Sequence, residues 1–106
     1  MQLRFALLWA FALAATTCES QAGGSGLNVI VILNQNSTNS LQLANAYCEQ
    51  RGVPPQNVLR LTNQWSGGSW SCTVDEFENK LRGPLLDMIR ARNLANQIQF
   101  VVLSMD

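Results

Sequence analysis

Leu27-Asn28-Val29-Ile30-Val31-Ile32-Leu33, then Asn34-Gln35-Asn36-Ser37-Thr38, a helical pattern to Arg51, a Gly52-Val53-Pro54-Pro55 stop and Val58-Leu59-Arg60-Leu61 read as one βαβ unit. The first run is apolar on both faces except at Asn28, which suits a parallel strand covered on both sides rather than a half-wet antiparallel one. Ser37 is the best N-cap for the helix that follows, and Leu41, Ala44, Tyr47 and Cys48 share one face at helical spacing. Gly52 can take the left-handed conformation that ends a helix, and Pro54-Pro55 prevents its continuation.

Downstream, Asn63 to Ser71 has no apolar periodicity and reads as a loop. Thr73 opens a second helix with a capping-box pattern, because Glu76 stands three residues on and Asp75 adds negative charge to the first turn. Val74, Phe77, Leu81, Leu85, Met88 and Ile89 hold one helical phase through Gly83-Pro84, so that dipeptide predicts a kink or a restart. Glu76 with Lys80 and Glu78 with Arg82 read as solvated i,i+4 pairs. Asn93 ends the helix, and Ile98 to Leu103 is the third strand.

The fold class is therefore α/β. Right-handed crossovers with helices on opposite faces give a three-layer, flavodoxin-like beginning with parallel strands in the order 2-1-3. Three strands leave Ile98 to Leu103 as a hydrophobic edge, and natural proteins normally pair or cover such an edge. The expectation is an incomplete domain whose further strands follow Asp106.

The first residues read as a signal peptide over 1–22. Arg4 gives a positive start, Phe5 to Thr17 is apolar, and Ser20-Gln21-Ala22 suits cleavage before Gly23. The apolar run is shorter than the roughly 20 residues a membrane span needs. A secreted, periplasmic or cell-envelope location follows, with no membrane span after cleavage and 23–106 as the N-terminal portion of the exported domain. Of the 3 cysteines, cleavage leaves Cys48 and Cys72. Two readings stay open for them. One is a disulfide, which would stabilise the fold by about 3.5 kcal/mol in the chain-entropy model; the other is Cys48 as a small core residue.

With 7 basic and 7 acidic residues the formal charge is balanced, and there is no basic stripe for nucleic acid. The chain has no histidine, so Cys/His zinc sites and Ser-His or Cys-His dyads cannot be built from these residues alone. No metal site and no cofactor is indicated.

In doubly wound sheets the ligand crevice lies beyond the carboxyl ends of the strands at which the order reverses. Here that places Asn34, Asn36 and Ser37 on one lip and Asp106 on the other, as candidate ligand-binding residues. The amides and the helix N-terminus could meet an anion or a sugar hydroxyl; plain turn and capping chemistry is the competing reading. The lip lacks the glycines of a phosphate cradle, and Asn36-Ser37-Thr38 also spells an N-glycosylation acceptor. Asp106 could serve as acid or ligand, but one carboxylate without a partner defines no mechanism. Trp65 and Trp70, flanking Gly67-Gly68, could stack on carbohydrate or fold back on their own loop.

Asn34-x-Asn36-Ser37, Ser40-Leu41, Ala44-x-x-Tyr47, Arg51-Gly52-Val53-Pro54, Asn57-Val58, Arg60-Leu61, Phe77-Glu78 and Arg82-x-Pro84 together resemble the opening of a secreted bacterial family of unknown function. The resemblance covers nearly all of residues 27–106. It implies a longer chain that continues past the third strand, and it implies no activity; Trp65 to Cys72 departs from the family's usual linker. A looser similarity, to the caspase and gingipain-like cysteine peptidases, rests on the shared strand, helix, strand, helix, strand opening. Those enzymes place a His and a Cys at later strand ends, and this chain has no histidine to offer. The sequence thus leaves two functions: part of an exported hydrolase with its crevice at the carboxyl ends of strands 1 and 3, or a non-catalytic extracellular or cell-envelope binding domain.

Overall fold

The computed structural model describes residues 24–62, 64–68 and 71–104. The expected signal peptide and its cleavage point, Trp70 and Asp106 lie outside the described residues. Three strands, β1 (Val29–Asn34), β2 (Val58–Leu61) and β3 (Phe100–Leu103), form an all-parallel sheet in the order β2-β1-β3. Its register runs Val31 to Val58 and Asn34 to Leu61 on one side of β1, and Val29 to Phe100 and Ile32 to Leu103 on the other. The predicted 2-1-3 order is the observed one.

Because side chains alternate across a strand, β1 feeds two cores. Val29, Val31 and Leu33 meet Ala44 and Val53, with Leu41, Tyr47 and Cys48 of α1 (Thr38–Arg51) packed around them. Ile30 and Ile32 point the other way, to Leu61, Met88 and Leu94, with Leu81, Leu85 and Ile89 added. The three-layer arrangement follows, with β1 buried on both faces.

Local chemistry sets the ends of α1. The Ser37 hydroxyl accepts the Ser40 N–H at 3.2 Å. At the other end Gly52 has φ 65°, a left-handed conformation that disfavours side chains, and donates its N–H to the Cys48 carbonyl.

β1 begins two residues later than its apolar run suggests. Ser25 caps a 3-10 turn over Gly26–Asn28, its hydroxyl accepting the Leu27 N–H, while the Asn28 side chain accepts the Ser25 N–H and donates to the Gln97 carbonyl at 2.8 Å. Asn28, the one polar residue in the run, is thus a cap and not a strand position. The buried Asn57 closes the same end of the sheet by donating to the carbonyls of Leu27 and Val29, both at 3.0 Å. β3 likewise begins at Phe100 and not Ile98, because the Ile98 N–H is taken by a turn to the Leu94 carbonyl.

The second helical region departs more. A short α2 (Val74–Glu76) passes into a π-helical stretch, Phe77–Arg82, before α3 (Gly83–Ala91). Pro84 supplies the reason. It has no N–H, and its ring crowds the carbonyl four residues back, so the turn widens and Gly83 donates to the Glu78 carbonyl five residues earlier. The extra residue shifts the helical phase. Leu81, Leu85, Met88 and Ile89 reach the sheet as expected, but Val74 is 78% and Phe77 41% exposed. At its far end Asn93 takes φ 54° and Leu94 donates back to the Ile89 carbonyl, a Schellman ending that buries Leu94.

Candidate functional site

The crevice is expected at the carboxyl ends of β1 and β3. Its first lip is the turn from Asn34 to Ser37, brought together as the strand order requires. The Asn34 side-chain oxygen accepts the Asn36 N–H at 3.0 Å, and the Asn34 carbonyl accepts the Ser37 N–H at 3.2 Å. Asn36 then reaches sideways, its amide donating to the Thr62 carbonyl just past β2 at 2.9 Å. Gln35 is held by its backbone to Leu61 and by its side chain, which accepts from the Arg60 guanidinium at 3.1 Å. Asn34, Asn36 and Ser37 therefore spend side-chain atoms on shaping the turn and capping α1.

The second lip is the end of β3. Asp106, the fourth candidate, lies outside the described residues, and Ser104 is the last described position there. Ser104 donates its N–H to the Ile32 carbonyl at 2.8 Å and its hydroxyl to the Ser40 carbonyl at 2.7 Å. The Ser40 hydroxyl in turn accepts the Asn34 N–H at 2.9 Å and lies 3.4 Å from the Ser104 carbonyl. Ser40 is fully buried. It joins both lips, and sequence reading had assigned it no role; the available signal was its place one turn before Ala44 on the buried stripe of α1.

Cys48 and Cys72 are both free thiols, so the disulfide expectation is not met. Cys48 packs in the α1 layer, whereas Cys72 is exposed ahead of the helices that cover the opposite face. Partial burial pushes the Cys48 thiol above its ordinary value, and the Arg60 charge draws it partly back.

The Glu76 reading also needs correction, because this carboxylate is more than a solvated partner of Lys80. It accepts the Ser66 N–H at 2.9 Å, the Ser66 hydroxyl at 2.7 Å and the Thr73 N–H at 3.0 Å, besides Lys80 at 3.3 Å. Those donors, Thr73 and Ser66 first, hold it down to about 2. Lys80 also donates to the Gln64 carbonyl at 2.8 Å and stands 5.9 Å from the centre of the Trp65 ring. Trp65 is half-buried against the second core. It packs on the core, which differs from both readings of this tryptophan. Glu78 with Arg82 is an ordinary exposed pair.

Among the described residues no group of His, Cys, Asp or Glu is clustered to hold a metal ion, and no helix is long and apolar enough to cross a membrane. No protein-family model, curated protein or solved structure matches this chain.

Proposed function

We propose that this chain is an exported α/β binding domain whose crevice at the carboxyl ends of β1 and β3 receives an anionic or hydroxyl-rich group. The observation that carries the reading is the strand order: α1 leads from β1 to β2 on one side, β3 lies on the other side of β1, and the capped N-terminus of α1 stands at that reversal. Support comes from the rigidity of the lip, since the bonds of Asn34, Asn36 and Ser40 preform the turn before any ligand arrives. The lip side chains from Asn34 to Thr38 are amides and hydroxyls, which suits recognition better than proton transfer.

The test is titration of the full chain with inorganic phosphate and with a neutral hexose, read by amide shifts at residues 34–38. Asn36→Ala or Asp106→Ala should weaken binding at least tenfold, about 1.4 kcal/mol. If both variants bind as the parent does while changes in the Trp65 to Trp70 loop abolish binding, the crevice is not the site. Export is checked separately, since the product should begin at Gly23 by intact mass. A product that retains Met1 would exclude this processing.

The hydrolase reading requires a titratable group at the lip. Asp106, two residues beyond Ser104, is the candidate in the sequence. Turnover lost in Asp106→Asn with binding retained would favour it over simple binding.

A further inference from the structure

We draw no further inference here: the strongest candidate, the exposed apolar patch of Phe100, Val101 and Leu103 along the β3 edge together with the groove beside it, carries nothing, because nothing in the structure shows what covers it.

Discussion

Ser40 and Ser104, 64 positions apart in sequence, are joined on both sides: the Ser104 hydroxyl donates to the Ser40 carbonyl at 2.7 Å, and the Ser40 hydroxyl lies 3.4 Å from the Ser104 carbonyl. The same Ser40 hydroxyl accepts the Asn34 N–H, so one buried side chain holds the end of β1, the first turn of α1 and the end of β3 in register. Ser40→Ala leaves the Asn34 N–H without that acceptor and should destabilise the chain by about 1–3 kcal/mol. Ser104→Ala removes one bond at a less buried position and should cost about 1 kcal/mol. Urea denaturation of both variants checks the order. Equal, negligible losses would mean that the lips are held by the sheet alone.

Glu76 makes the attachment of the 64–68 loop depend on pH. Its folded-state pKa of about 2 lies below the ordinary 4.5. The stabilisation it gives is therefore fully present above the unfolded value of 4.5 and is lost as pH falls through about 2. Trp65 should report this loss by a red shift of its emission over that window, measured in a chain beginning at Gly23 with Trp70→Phe, so that neither Trp9 nor Trp70 contributes, with helix content followed in parallel. Glu76→Gln should show the shifted emission already at neutral pH and no transition on acidification. A midpoint near 4.5 in the parent would show the carboxylate to be unengaged.

Most of the β-α-β-α-β order was legible because its signals are local. A parallel strand buried on both faces reads as a continuous apolar run, and Ser37, Gly52, Thr73 with Glu76, and Asn93 each mark a helix end by chemistry within a few residues of it. What escaped reading depends on distant partners. Leu27 looks like strand, but Asn28 is committed to Gln97, 69 residues away, and turns the run into a cap. The phase of Val74 and Phe77 was misread because the π-helical stretch arises from Pro84 acting back along the helix, which no count of apolar spacing includes. The turn after β1 lies at the carboxyl end of the strand, as the pattern placed it. Asn34 closing its own turn is the plain turn chemistry the sequence offered, a bond two residues long, whereas the reach of Asn36 to Thr62 required the three-dimensional path of β2. Glu76 was legible as the capping-box partner of Thr73 and the i,i+4 partner of Lys80, but its bonds to Ser66 cross a loop without periodicity.

Gly26 and Gly52 are both required, for different reasons, and substitution should separate them. At Gly26 a Cβ would stand 2.3 Å from the Arg51 carbonyl and 2.5 Å from the Gly52 carbonyl, backbone atoms that cannot swing aside. Gly26→Ala should destabilise by about 1–3 kcal/mol through overpacking. Gly52 has open space around its Cβ position but a φ of 65°. Gly52→Ala should lose about 1–2 kcal/mol through the left-handed backbone alone, and Gly52→Asn less, because asparagine tolerates that region. Thermal unfolding of the three variants tests the distinction. Equal losses for alanine and asparagine at position 52 would contradict the backbone account.

The two cysteines should react as independent thiols of unlike environment. Cys72 is exposed ahead of α2, while Cys48 is half-buried on α1 against Val29, Val31 and Leu33. Desolvation raises the Cys48 pKa, and since Arg60 only partly offsets it, less of this residue is thiolate at a given pH. A chain beginning at Gly23, treated with a chromogenic disulfide reagent at pH 8, should show a fast phase from Cys72 and a several-fold slower one from Cys48. Cys72→Ser should remove the fast phase alone. The Cys48 rate should keep climbing as pH is raised past the ordinary thiol range, because its thiolate forms late, and Arg60→Gln should slow it further by withdrawing the one charge that favours the anion. Unfolding in denaturant should merge the two phases, since the difference arises from packing. No reactive thiol until a reductant is added would mean that Cys48 and Cys72 leave their opposite layers and bridge in the exported protein.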